Sequence, residues 1–416
     1  MLNTLNDVLN NVDNFIWGMP LIILILFTGI LLTVRLRGLQ IRHLGKALHY
    51  VFHNEDDGEG EVTSFGALCT ALSATIGTGN IVGCATAIVA GGPGALFWMW
   101  LAAFFGMATK YAEGMLAVKY RVIAEDGHAL GGPFYYIEKG MGKNFKWLAK
   151  LFCVFGTMVG LFGIGTFTQV NGITSAVNNF FDPSNVHTIS LFGMNYSISV
   201  VVAGIIVTIC AGLVIIGGIK RISKVSEVIV PFMAVTYIGV CLIIVFTHLP
   251  QVPAAFAEIV QSAFGLKAVA GGAIGAMTVA MQKGIARGIF SNEAGLGSAP
   301  IAAAAAQTNE PVRQGLVSMT GTFIDTIIVC TMTGLAIVMT GAWDMGLEGV
   351  AVTTKAFALG LPFPAKASAF VLMMCLVFFA FTTILGWAYY SERCLEYLVN
   401  GKKFVITAFK WFYILA

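Results

Sequence analysis

Ten long apolar runs separated by short polar stretches organise the chain. They fall at residues 15–34, 62–90, 91–118, 151–178, 197–219, 226–247, 253–283, 315–343 and 367–391, with a tenth starting near 404. A helix needs about 20 predominantly apolar residues to cross a bilayer, so each run predicts a membrane span. The runs are continuous, whereas a membrane barrel would show alternating segments of about 10 residues. Hydrocarbon offers no partner to an unpaired backbone group, which leaves helices. The first run has no charge and no basic segment before it, so it reads as a span and not a cleaved leader. No connection is long enough for a sizeable soluble domain.

Two runs are interrupted. The second contains Ser73-Ala74-Thr75-Ile76-Gly77-Thr78-Gly79-Asn80, and the seventh Ala270-Gly271-Gly272-Ala273-Ile274-Gly275-Ala276. Each interior glycine weakens a helix by roughly 1 kcal/mol relative to alanine and admits backbone angles that open the hydrogen-bond ladder. Small residues also serve close helix packing, and either cluster alone fits that explanation. Position separates the two. The runs lie five spans apart, an odd number, so they cross in opposite directions. Broken helices at matching places in two oppositely directed halves predict an inverted-repeat transporter. On that reading 1–45 is an extra N-terminal helix, 60–250 a first five-helix repeat and 251–416 a second. An eleventh span is then expected, and the tenth run reaches Ala416 first. The expectation is a chain incomplete at its C-terminus; a ten-span protein is the alternative.

Composition sharpens this picture. Hydrophobic residues make up 57% and charged residues 11%, against about 25% charged in soluble domains. Lys and Arg gather in alternate connections: Arg35 to Lys46, Lys119 to Lys150, Lys220 to Lys224, Lys283 to Arg313, and Arg393 to Lys403. The opposite side holds only Lys355 and Lys366. Basic loops stay inside, which puts the N-terminus outside. A net charge of +3 indicates no nucleic-acid partner. The eight cysteines form no CxxC pair and sit mostly in apolar runs, as packing residues. No HExxH or acidic cluster suggests a metal hydrolase, and no strand–glycine loop–helix unit suggests ATP use. An enzyme is therefore not expected, nor any cofactor beyond a coupling ion.

The stretch 91–106, GGPGALFWMWLAAFFG, resembles the signature of the sodium:alanine symporter family, also called alanine/glycine:cation symporters. The stretches ATIGTGNIVGCATAI (74–88) and RGIFSNEAGLGSAPIAAAAAQT (287–308) are similar to that family as well. The match runs in order through almost the whole chain and lacks the family's C-terminal end. The resemblance implies the five-plus-five fold of the leucine-transporter group with one added N-terminal helix. It further implies sodium-driven import of alanine or glycine across the cytoplasmic membrane of a bacterium or archaeon.

Site residues follow from both lines. N–H groups near Thr78 and Gly79 suit a substrate carboxylate, and Gly77 and Gly79 keep the space free of side chains. Asn80 either orients the break or coordinates a cation, or caps the following half-helix. Thr382 and Thr383 supply hydroxyl oxygens fit for a hard cation, or bond back to their own helix. The resemblance implies that they join carbonyls near Ser73 and Ile76 as a sodium site, and that Gln169 reaches the substrate. Trp387, one turn after Thr383, either walls off a small side chain or packs. Gln169 and Asn171 otherwise bond between helices. Carbonyls of Gly271, Gly272, Ala273 and Ile274 suit the substrate ammonium. Asp325 is expensive at membrane depth and needs a partner. Lys110 and Glu113 read as an internal pair. Ser291 to Gly295, in the connection 284–313, read as a cytoplasmic gate or a short surface helix. A channel is the rival outside carriers. Proton coupling is the rival within them, although the expected site has no titratable group. Nothing demands an oligomer; a monomer in the bilayer suffices.

Overall fold

A computed structural model describes residues 6–9, 12, 15–53, 58–124, 127–191, 193–265 and 272–416. Helix accounts for 79% of it, and strands form only two small hairpins, Val122–Ile123 with Ala129–Leu130 and Thr188–Leu191 with Met194–Ser197. Among the described residues, five helices or joined helices are long and apolar enough to cross a membrane: Lys143–Phe181, Ile198–Ile215, Gly218–Thr247, Pro311–Thr340 and Ala365–Leu398. The pair Ser64–Thr75 and Gly79–Gly91, bent by 53°, makes a sixth when counted as one span. Met19–Arg35 and Val350–Gly360 are shorter apolar helices, and Gly94–Lys119 holds Lys110 and Glu113 buried within it.

The helices that matter here are α1 (Met19–Arg35), α2 (Ser64–Thr75), α3 (Cys84–Gly91), α4 (Gly94–Lys119), α5 (Lys146–Phe162), α6 (Phe167–Phe181), α7 (Ile198–Ile215) and α8 (Gly218–Thr247). Then come α9 (Val252–Ala263), α10 (Ala273–Asn292), α11 (Ala299–Ala303), α12 (Pro311–Thr322), α13 (Thr331–Thr340), α14 (Val350–Gly360), α15 (Ala365–Leu398) and α16 (Lys403–Leu415). Burial sorts them into layers. The apolar windows of α12–α13 and α15 are 61% buried, whereas those of α5–α6 and α7 are 28% buried. The outer helices expose rows of large apolar side chains, such as Ile205, Ile209 and Leu213 on α7 and Phe232 and Val235 on α8. No water-soluble surface carries so much contiguous apolar area; this is a lipid-facing perimeter.

Small residues let the inner helices approach closely, as in other membrane bundles. A Cβ on Gly386 of α15 would lie 2.7 Å from the Ala74 backbone nitrogen, and one on Gly160 of α5 would overlap the Ser391 hydroxyl. The chain therefore brings α15 against both α2 and α5.

The expected seventh span, 253–283, is not one helix. Val252–Ala263 and Ala273–Asn292 are separate, and the second runs past residue 283 to Asn292. Lys283 and Arg287 are thus helical residues of α10 and not part of a loop. The segment 291–306, expected outside the membrane, is buried almost throughout. Ser291 to Gly295, expected as a cytoplasmic gate or a short surface helix, lie in this buried segment, and its polar side chains are satisfied internally.

Candidate functional site

The first break follows α2. Thr63 caps that helix by accepting the Gly66 N–H at 2.9 Å. The helix ends at Thr75, Ile76 turns extended, and a π-helical turn, Gly79–Gly83, leads into α3. A helix that stops here releases the carbonyls of its last turn, Ser73 to Ile76 among them. The Asn80 side chain holds the opening: its Oδ1 accepts the Gly77 N–H at 3.0 Å, and its Nδ2 donates to Asp325 Oδ1 at 2.7 Å. Asn80 therefore binds upstream backbone and orients the break; it does not act as an ordinary cap for α3. Gln169 of α6 reaches the same place, accepting the Thr78 N–H at 3.4 Å. Asn171 points out and is exposed. Across the break stands α15, where a Cβ on Gly77 would come 2.4 Å from Thr383 Oγ1. The structure thus brings Gly77, Thr78, Asn80, Gln169 and Thr383 together.

A second break lies between α10 and α11, and the sequence reading put it elsewhere. Glu293, Gly295 and Gly297 all have positive φ, at 56°, 88° and 77°. Two glycines make that turn accessible, and the non-glycine Glu293 is held in it by its side chain. Its carboxylate accepts the Trp387 indole N–H at 3.1 Å and a short hydrogen bond from the Ser298 hydroxyl. Glu113 of α4 supports the turn by accepting the Gly297 N–H at 3.2 Å. The Lys110 ammonium is buried and makes no hydrogen bond among the described residues, while Glu113, its expected internal partner, anchors the Gly297 N–H.

Gly272, Ala273 and Ile274 do not join the site. They begin α10, where Ile274 is 76% exposed, and a rise of about 1.5 Å per residue puts Ile274 some 28 Å from Glu293 along the helix. Gly271 lies outside the described residues. The sequence missed Phe290, Ser291, Asn292 and Glu293 as site residues. The available signal was Asn-Glu-Ala-Gly-Leu-Gly-Ser, a glycine pair beside a carboxylate, inside a stretch otherwise rich in alanine.

The two breaks meet. A Cβ on Gly79 would lie 3.8 Å from both the Phe290 ring and the Ser291 Cα. Asp325, on a π-helical segment of Phe323–Cys330, joins them: it accepts Asn80 from the first break, and through Oδ2 the Ser291 hydroxyl at 2.9 Å and the Thr326 hydroxyl at 2.7 Å. Asn292 in turn donates to Thr326 at 3.1 Å. These are the partners that Asp325 required. Single π turns often mark functional positions in helices, and both π segments named here touch this network.

The side chains expected to hold a cation supply hydroxyl oxygens. Thr383 Oγ1 and Thr382 Oγ1 each donate to the Phe379 carbonyl at 3.0 Å, Thr382 also lies 3.5 Å from the Met233 sulfur, and Ser73 Oγ donates to the Thr70 carbonyl at 2.7 Å. These hydroxyls bond back to their own helices and leave oxygen lone pairs for a cation such as sodium. Ile76 has its side chain fully buried and offers only backbone. Beside the second break a cavity of about 440 Å³ is walled by Phe152, Phe155, Phe290, Glu293, Trp387 and Tyr390.

Two breaks that meet inside a lipid-facing bundle, lined with backbone and hydroxyl oxygens, fit a membrane transporter. The sodium:alanine symporter family model matches residues 2–416, and the chain belongs to that family. It is 58% identical to an uncharacterized transporter of Haemophilus influenzae over 95% of this chain and 83% of that protein. It is 45% identical to the sodium/alanine symporter AgcS of Methanococcus maripaludis over 97% of this chain and 87% of that protein. To a putative sodium/proton-dependent alanine carrier of Bacillus subtilis it is 38% identical, over 95% and 80%.

Proposed function

We propose that this chain imports alanine and glycine by sodium symport, working by alternating access in a five-plus-five inverted-repeat fold of the leucine-transporter kind, with the N-terminus outside a cytoplasmic membrane. The observation that carries the reading is the meeting of the two breaks through Asp325. One break follows α2 and the other follows α10, and each leaves free backbone groups at the centre of the bundle.

In this reading the substrate carboxylate takes the N–H groups at Thr78 and Gly79, next to the Gln169 amide. Thr383 borders the site and Trp387 limits the side chain to about a methyl group. Sodium sits between the carbonyls of Ser73 and Ile76 and the hydroxyls of Thr382 and Thr383. The substrate ammonium goes to the second break, where carbonyls after Phe290 and the Glu293 carboxylate replace the role expected of Gly272 to Ile274. Sodium and substrate together tie α2, α10 and α15 into one closed arrangement, and release follows when the opposite side opens. Each charge moving down 100 mV gains about 2.3 kcal/mol, and a tenfold sodium gradient adds about 1.4 kcal/mol.

A second reading, proton coupling, is favoured by one observation: Glu113, Glu293 and Asp325 are buried carboxylates near the breaks. The test separates them. In proteoliposomes, alanine uptake is expected under an inward sodium gradient and not under an equal potassium gradient, and is lost in Thr382→Ala/Thr383→Ala. Uptake equal in both salts but driven by a pH gradient gives the proton reading instead.

A further inference from the structure

Above the first break a second cavity of about 260 Å³ opens between α3 and α10. Thr86, Ala87 and Ala90 form one wall, Gln282, Lys283 and Arg287 the other, and Phe290 the floor. The floor is wedged in place: Trp17 meets its ring edge-on at 6.1 Å, and Gly79 backs it from below. The Phe290 ring thus lies between this cavity and Gly79 of the first break.

Its charge is unbalanced. Lys283 and Arg287 are four residues apart on one helix, both exposed, so their like charges repel. Among the described residues neither makes a hydrogen bond or an ion pair; Arg287 only lies over the Phe290 ring at 5.7 Å. No acidic residue lines the cavity. A repulsive cation pair without a counter-charge, in a concave site with apolar neighbours, concentrates anionic groups.

Resting on the proposed function, we infer that Lys283 and Arg287 form an entry site for the carboxylate of the incoming amino acid. The zwitterion arrives carboxylate first, held by the two cations while Phe290 still covers the break. Arg287 lies one turn before Ser291, about 6 Å up the helix, so displacement of the Phe290 ring passes the carboxylate from guanidinium to the N–H groups of Thr78 and Gly79. No bond is made or broken; the site sets the rate and orientation of entry.

The test compares the native chain with Lys283→Gln/Arg287→Gln in proteoliposomes, measuring initial alanine uptake at constant sodium while choline chloride raises ionic strength. The expected result is a kcat/KM about 3- to 10-fold lower in the double variant at low salt, with the gap closing as salt screens the cations in the native chain. The kcat at saturating alanine and the sodium dependence stay native, and Lys283→Arg retains full kcat/KM. A double variant with native kcat/KM and native salt response overturns the entry site while leaving the symport reading intact. A variant whose sodium dependence and kcat fall together also overturns it, since the residues would then belong to the central machinery. A native chain without sodium-driven uptake removes the symport reading, and the entry site with it.

Discussion

Gly77 has no room for a side chain. The added methyl of Gly77→Ala would stand 2.4 Å from Thr383 Oγ1, and Thr383 is fixed by its own bond to Phe379. Overpacking of this kind costs about 1–3 kcal/mol, and here it falls on the gap between α2 and α15. Alanine uptake by Gly77→Ala should drop at least about tenfold, a loss of roughly 1.4 kcal/mol; uptake within twofold of native would sink the assignment of this gap to the substrate and ion. Asp325 is the second residue whose chemistry is specific. Asp325→Ala strands the Thr326 hydroxyl, a buried donor worth about 1–3 kcal/mol, and leaves Asn80 only the residue-325 carbonyl and the weak Cys330 sulfur, and Ser291 that sulfur alone. The variant should lose both uptake and several degrees of thermal midpoint in detergent, and Asp325→Asn should recover stability before transport. An Asp325→Ala protein as stable as native would mean that the residue-325 carbonyl and the Cys330 sulfur suffice for these donors.

The two breaks differ in how far the sequence exposes them. Around Gly77 and Gly79 the neighbours Ser73, Thr75, Thr78 and Asn80 are uncharged and the flanks are apolar, so the glycines stand out within a run that otherwise reads as one helix. The second break is polar, with Asn292, Glu293 and Ser298 inside it, and polar residues between apolar runs read as a loop. What hides it is internal satisfaction: Trp387, Ser298 and Glu113 come from distant parts of the chain, and a linear pattern cannot show them. The same reading put the second break in the glycines of 270–276 and counted Lys283 and Arg287 as loop charges, whereas both lie on α10. Glu113 is where this element can be tested. With Glu113→Ala the Gly297 N–H loses its acceptor in a dry interior, and the turn loses its anchor. Amide exchange at Gly295 and Gly297 should quicken in Glu113→Ala and stay closer to native in Glu113→Gln, which keeps an acceptor oxygen, while uptake falls in the same order. Unchanged exchange in Glu113→Ala would place the anchor elsewhere.

Across the whole molecule, the end opposite the Lys283–Arg287 cavity is shut. The strand-like segments before α2 and after α11 pair through Val62 and Ala306, with Gln307 N–H donating to the Val62 carbonyl at 2.7 Å. The Arg121 guanidinium fastens them by donating to the carbonyls of Ala304, Ala306, Glu59 and Thr308, between 2.6 and 2.9 Å. The segments leading into α2 and out of α11 are thus tied together, and the alternating-access cycle proposed above requires this tie to open. Glu61 adds a titratable fastener there: it accepts the Ala129 N–H at 3.0 Å and lies 3.2 Å from His128, which in turn approaches Glu396 at 3.5 Å. Burial alone would raise the Glu61 carboxyl, but the His128 hydrogen bond and charge, the Ala129 N–H and the Arg393 charge hold it below the ordinary value of 4.5. A carboxylate depressed in the folded state contributes stability that is complete above its unfolded value and is lost as pH falls through the folded one. The closed end should therefore hold from neutrality down to about pH 4.5 and loosen below it. Comparing native with Glu61→Gln, thermal midpoints in detergent should differ by on the order of 1 kcal/mol of stability at pH 7, and the two should converge below the carboxylate range. A cysteine placed at Thr308 should label faster in Glu61→Gln at pH 7 than in the native background. Equal labelling and a pH-independent gap would show that Arg121 closes this end without Glu61, leaving the opening step to the four carbonyls alone.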